Sequence, residues 1–461
     1  MPETVSPHEI VASGLCIGCG ACAAEGAGRM DWDRQGQLKP VGETAWIRRR
    51  SPRFSRTCPF SPAAADENNL STALFPRAGH DAAVGRFVAA YVGHASEGGY
   101  RAGGSSGGLV SWVAAELLRT GVVDGVAHVV PADPRTDGRL FRYRISRTPD
   151  AVRQGAKSRY YPIEMSAVLR EMRERPGRYA VVGIPCFIKA VQLQRAEDPL
   201  LRERIVATLG LFCGHMKSAW MAESFARQMG VAAGEVVAVD YRRKRPERPA
   251  NWYNAELTLA DGRRVERDWW HLIEGDWGSG FFQNSACDFC DDVTAETADI
   301  AFGDAWVEPY ASDGRGTNVI VVRSSAMHEL IEHGRAAGRL QLDPVDAVFV
   351  AETQAAGLRH RREGLAYRLT WPRAGVAPSK RVGVGAHRLG LRRKLTYRLR
   401  AAIARWSPRI YAAARQIGWY DGYRIWARAV LALYHALVYE RGALGKIVSA
   451  ISRRRAGPER P

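Results

Sequence analysis

The chain has 461 residues, too many for one modest core, so two or three structural units are expected. Hydrophobic residues make up 46% and charged residues 25%, ordinary for a soluble globular protein. The formal net charge of +18 is local: residues 380–461 hold 19 Lys+Arg against 3 Asp+Glu, and the other 379 residues hold 47 against 45. A nearly neutral body argues against a nucleic-acid binder.

The N-terminus, "MPETVSPHEI", lacks the basic start and apolar run of a secretory signal. No stretch reaches eighteen uninterrupted apolar residues, so no membrane span is expected. Together these point to the cytoplasm, where ligation is a better use for eight cysteines than disulfides. Residues 1–75 are rich in cysteine and turns, as expected of a small module shaped by what it binds. Cys16, Cys19 and Cys22 sit in "GLCIGCGACAA", and Cys58 is followed by Pro59. Two-residue gaps let consecutive thiolates converge on neighbouring irons, and C-x2-C-x2-C with a Cys-Pro is the pattern of bacterial ferredoxin-type sites. Thirty-five residues separate Cys58 from Cys22, so it must return in space to be the fourth ligand. Structural zinc is the competing reading and fits a tight run of three thiolates less well. The expectation is a 4Fe–4S cluster in a ferredoxin-like module.

From about residue 80 to 345 the texture changes to alternating strands and helices. "RFVAAYVGHA" reads as a strand, "GLVSWVAAELLRTG" as a helix closed by Gly121, and "VDGVAHVV" as a strand. "RYAVVGIPC" and "RIVATLGLFC" read as strands around a helix from Phe187 to about Glu197. This rhythm predicts an α/β core with some α+β elements and a mostly parallel sheet. Cys186 and Cys213 are read as ending those two strands, at the edge where open sheets place ligands. With Cys287 and Cys290 of "CDFC" they make a second set of four, for a second 4Fe–4S cluster; buried structural cysteines are the alternative. Residues 235–270 read as short strands around the turn "ADGR" and a basic loop, "YRRKRPERP".

Residues 378–461 read as a basic, amphipathic helical tail. Ser407 and Pro408 are read as a cap and first helical position. Arg424, Arg428 and His435 fall within roughly 40° on a helical wheel, opposite Trp426, Val430, Leu433 and Leu437. Such a tail suits packing on the body or a partner, or peripheral contact with the inner face of an anionic membrane. The charge map also predicts that removing residues 380–461 leaves the cofactors in place.

"CIGCGACAA…CPF", "GGSSGGLVSWVAAELLRTGVVDGV", "KSRYYP", "GIPCFIKAVQ", "LFCGH" and "CDFCDDVTAETADIAFGDAW", in that order, resemble the beta-subunit family of coenzyme factor 420 hydrogenase/dehydrogenase. That family includes 7-hydroxymethyl chlorophyll a reductase. The resemblance covers roughly residues 10–340 and implies an oxidoreductase with FAD and one or two 4Fe–4S clusters. Its flavin exchanges hydride with a deazaflavin or small organic substrate, and single electrons with the clusters.

Under that resemblance, Ser105, Ser106, Gly107 and Gly108 offer backbone amides and hydroxyls before a helix N-terminus, suited to a phosphate or flavin edge. Lys157 and Arg159 suit FAD phosphate or a reduced flavin anion. Asp304 of "FGDAW" suits a ribose or flavin hydrogen bond; the alternatives are an ordinary turn for the glycine loop, a solvated basic loop for Lys157 and Arg159, and a turn aspartate for Asp304. His215 is a donor candidate for a carbon-centred reduction, a structural histidine being the stronger reading; the other catalytic groups are unassigned. The rival functions are a non-enzymatic iron–sulfur carrier and an accessory protein of polysaccharide biosynthesis docked at the membrane.

Overall fold

The computed structural model describes residues 4–386, 389–442 and 445–446. The basic end of the predicted tail, residues 447–461, lies outside the described residues.

The strands, in chain order, are β1 Arg29–Trp32, β2 Leu38–Val41, β3 Gly79–Asp81, β4 Gly85–Phe87, β5 Ala89–Ala95, β6 Gly125–Pro131, β7 Phe141–Ser146, β8 Tyr179–Gly183, β9 Ile205–Leu211, β10 Val236–Arg243, β11 Asn254–Leu259, β12 Arg264–Asp268, β13 Ile300–Asp304, β14 Asn318–Val322 and β15 Leu340–Val345. Eight of them form one sheet in the order β15-β5-β14-β13-β9-β8-β6-β7. Its centre, β13-β9-β8-β6, is parallel. β14, β5 and β15 join antiparallel on one side and β7 on the other. Five strands thus share one direction in a mixed sheet. β8, "YAVVG", is buried at every residue, as a parallel strand covered on both faces must be.

Helices close the crossovers. Leu109–Arg119 starts after Gly108, whose φ of 80° turns the chain sharply, and stops before Gly121 at φ 67°. Pro185–Glu197 joins β8 to β9. The small antiparallel sheet β10-β11-β12 occupies residues 236–268, where the short strands were expected. The N-terminal hairpin β1-β2 and its flanking turns share a core with the sheet: Leu15, Ile17 and Phe60 pack in the same cluster as Tyr143, Phe187 and Val191.

The C-terminal chain is helical, but not divided as the sequence suggests. One helix runs Leu391–Ile417 with Pro408 in its interior, so Ser407 and Pro408 are not its start. Ser407 is instead buried, and its Oγ accepts from the Phe282 N–H at 2.8 Å. The second helix, Tyr420–Tyr439, buries Tyr423, Ala427, Tyr434 and Leu437. Leu433, assigned to the apolar face, is exposed, and His435 pairs with Asp276 at 2.9 Å. The buried stripe is turned because tyrosines, not the most hydropathic side chains, fill the groove. Tyr423 donates to buried Glu274 at 2.8 Å. Ile403, Tyr411 and Tyr423 lie in the same core cluster as Phe281 and Phe282. Lys380 and Arg381, counted in the tail by charge, are buried against Asp291 and Glu296. Of the placements expected for the tail, the described helices take the first: hydrophobic and ionic burial packs them on the body.

Candidate functional site

The carboxyl edge of the parallel strands gathers most of the singled-out residues. The loop "RAGGSSGG" follows β5, Cys186 follows β8, Cys213 follows β9, and Asp304 ends β13. That edge is where doubly wound sheets leave a crevice. Cys186 does not end its strand, however. It is the second residue of the helix Pro185–Glu197, because Pro185, with its fixed φ and missing N–H, starts the helix two residues before the expected Phe187.

Cys16, Cys19, Cys22 and Cys58 line one cavity, walled by Ile10, Leu15, Phe54 and Phe60. Cys58 reaches it as the C-cap of the helix Pro52–Thr57, which starts on Ser51 and Pro52. Burial pushes the Cys58 thiol up to about 12 and those of Cys19 and Cys22 higher. Backbone N–H groups of Phe60 and Ser61 work the other way on Cys58.

Cys186, Cys213, Cys287 and Cys290 form a second gathering, each buried or nearly so. Burial raises the Cys186 thiol, and the charges of Cys290, Cys213 and Cys287 would raise it further; so would Cys19 of the first set. Tyr143 feels both Cys186 and Cys19, so the two gatherings are neighbours. Cys287 is pushed up to about 11 by burial, opposed by Arg361 and by the Met216 N–H, which donates to its sulfur at 3.3 Å. Arg361 is fully buried; it donates to the carbonyls of Cys287 at 2.7 Å, of Cys290 at 3.3 Å, and of Gly214. Among the described residues no three His, Cys, Asp or Glu stand close enough to hold a single metal ion. The donor chemistry fits a larger group: four desolvated thiols per set, backbone N–H donors to sulfur, and, at the second set, a buried guanidinium to offset thiolate charge.

The glycine–serine loop and "KSRYY" meet, since the Ser158 N–H donates to Ser105 Oγ at 2.8 Å. Ser106 Oγ donates to the Thr317 carbonyl at 2.8 Å. Gly107 and Gly108 answer to packing: a Cβ on Gly107 would stand 2.6 Å from the Gly93 carbonyl oxygen, and one on Gly108 2.4 Å from the Tyr100 backbone. Lys157 has φ 95°, which non-glycine residues seldom adopt, and pairs with Asp240 at 3.0 Å. Arg159 stacks on Phe141, and its Nε is buried without a partner. Asp304 is held by Arg242 at 2.8 and 3.2 Å.

Sequence reasoning missed Arg242 and Lys244, although both lie in the noted basic loop. Arg242 is fully buried between the rings of Tyr253 and Trp306, and its Nε is unpartnered. Lys244 Nζ donates to the carbonyls of Arg101, Ser106 and Arg315 at 2.5, 2.7 and 2.6 Å. Burial, Lys157, Arg242 and Arg101 lower it to about 7. Three carbonyl acceptors nonetheless require three N–H donors, so it serves as an ammonium at neutral pH. An aromatic lane joins this cationic site to the second cysteine set: His215 stacks on Trp277 at 4.4 Å, and Trp277 meets Tyr160 at 4.6 Å. Burial pushes His215 well below its ordinary value, and its Nε2 is buried without a partner.

No curated protein matches the chain in sequence. A chain of the F420-reducing NiFe hydrogenase complex from Methanosarcina barkeri is 15% identical, covering 62% of this chain and 93% of that chain with a TM-score of 0.47, a distant likeness on which nothing further rests. Residues 90–170 match the N-terminal region, and residues 177–348 the C-terminal region, of the coenzyme F420 hydrogenase/dehydrogenase beta subunit. Together these cover more than half of the sequence: the chain belongs to that beta-subunit family and is, at the coarse level, a redox protein.

Proposed function

We propose that the chain is an iron–sulfur flavoprotein that passes electrons between a deazaflavin coenzyme, or a small organic substrate, and a redox partner protein. Cys16, Cys19, Cys22 and Cys58 would hold one 4Fe–4S cluster, and Cys186, Cys213, Cys287 and Cys290 a second. FAD would lie against Ser105, Ser106, Lys157, Arg159 and Asp304, joined by Arg242 and Lys244. The observation that carries the reading is the adjacency of two buried thiol quartets, one linked by aromatic rings to a cation-lined loop at the same sheet edge.

Bound flavin would supply hydride chemistry and single-electron release, and clusters accept electrons singly. The chain's own residues bind and shield. Arg361 and the Met216 N–H offset charge on the second set of sulfurs. Phe54, Phe60 and Ile10 keep water from the first. Arg242 and Lys244 provide positive charge for phosphate or an anionic ring, with Lys244 fixing the loop that would contact it. Peripheral contact of the basic C-terminal helices with the inner membrane face, from a cytoplasmic location, is a second element of the reading.

Anaerobic purification followed by iron and flavin analysis tests it. About eight irons per chain and extractable FAD are expected from cubane stoichiometry. C213A should lose about half the iron and C19A the other half, with the folded far-UV spectrum kept. Iron without flavin would favour the carrier reading. Zinc, or a metal-free protein of full competence, would sink both.

A further inference from the structure

A groove of about 230 Å³ lies between the edge of the small sheet and the helix Tyr420–Tyr439. Arg267, His271, Arg424 and Arg428 line it together with Trp270 and Leu431. No Asp or Glu lines it. Asp421 engages Arg424 through one terminal nitrogen at 2.9 Å, leaving the guanidinium Nε buried and unpartnered. Arg267 donates to the Gln228 carbonyl at 2.7 Å, which ties its guanidinium to another residue lining the groove. Three guanidinium groups and an imidazole around one open cavity are a phosphate-recognising set. Its wall is unusual for a soluble ligand's site: Trp270 is 59% exposed, and the helix that supplies Arg424 and Arg428 also leaves Ile425 66% exposed. Exposed tryptophan and isoleucine beside arginines on an amphipathic helix are what a bilayer interface accommodates. Among the described residues no helix is long and apolar enough to cross a membrane, so contact would be from one side.

We propose that this groove receives the phosphate of an anionic phospholipid, with Trp270 and Ile425 set into the headgroup boundary, so that the protein sits on the bilayer by the face opened between β12 and the last helix. This rests on the peripheral-contact reading and adds the site.

The test is co-sedimentation of the full-length protein with phosphatidylglycerol/phosphatidylcholine vesicles and with phosphatidylcholine alone. A background with Arg453, Arg454 and Arg455 replaced by glutamine makes the groove's share readable. Binding to the anionic vesicles alone, weakened by salt, is expected. R428Q and R424Q should each lower the partition coefficient about fivefold, since each removes one cation at the surface. W270S should lower it again, including at high salt. Both arginines are at least part-exposed, and the far-UV spectrum and iron content should not change. If the parent binds and the three variants bind equally well, the groove assignment fails while peripheral contact stands. If the parent ignores anionic vesicles, both fail. Saturable binding of inorganic phosphate by the groove in a protein that ignores vesicles overturns the lipid assignment in favour of a soluble ligand.

Discussion

Lys244 shows how much a single side chain can decide. It bridges three carbonyls from two loops that are distant in sequence, one of them the glycine–serine loop. K244M would leave three acceptors without donors, at about 1–3 kcal/mol of stability. It should raise the dissociation constant for FAD by an order of magnitude or more, with iron content unchanged; flavin fluorescence titration against the parent measures it. Equal FAD affinity in the variant would show that the loop needs no such brace. The residue sits in "YRRKRPERP", where composition announces only a basic loop. Which of its cations turns inward depends on the register of β10 and on carbonyls contributed from elsewhere. Arg361 is the same case, lying in a run of basic residues with nothing local to mark it as the one beside the second thiol set.

At the scale of elements, the helices Glu67–Leu74 and Pro185–Glu197 are joined by Glu67 and Lys189, 3.1 Å apart and only 5% and 6% exposed. Burial opposes ionisation of Glu67, but Lys189, Lys380 and Arg381 outweigh it and hold its carboxyl well below the usual range. A depressed acid contributes stability above its unfolded value of about 4.5, and that contribution is lost as pH falls below it. E67Q should cost about 3–5 kcal/mol at neutral pH by stranding buried cations. The gap from the parent should then shrink as pH drops from 5 towards 3; urea midpoints over that range check it. A constant gap would mean the carboxylate charge is not what matters. Helices and strands were themselves largely legible, since the parallel strands are short apolar runs and the crossover helix between β8 and β9 is where it was expected. Pro408 was misread for a physical reason: proline favours the first turn but is tolerated inside a long helix when the surrounding packing holds it, as the buried Ser407–Phe282 contact does here.

At the scale of the whole molecule, the chain from Lys380 onward packs beside the second cysteine set. Lys380 and Arg381 grip Asp291 and Glu296, and further on Ser407 accepts from the Phe282 N–H at 2.8 Å. Truncation after residue 379 should therefore lose the second set's iron first, leaving about four irons per chain by cubane stoichiometry, and expose Phe281 and Phe282 to aggregation. Iron analysis and light scattering of the truncated chain decide this. A soluble truncation with full iron would restore the detachable tail. A basic composition looks like a solvated appendage because charge is counted along the chain, whereas burial is decided by partners far away in it.

The sequence by itself determined the two cysteine quartets, the alternation of strand and helix, and the family, because thiol spacing, apolar periodicity and glycine-marked turns are local in the chain. Only the tertiary structure decided which cations face the sulfurs, which glycines serve packing, and that the last helices belong to the core. Those outcomes depend on desolvation and on pairing between segments hundreds of residues apart, and neither leaves a mark in the neighbouring sequence.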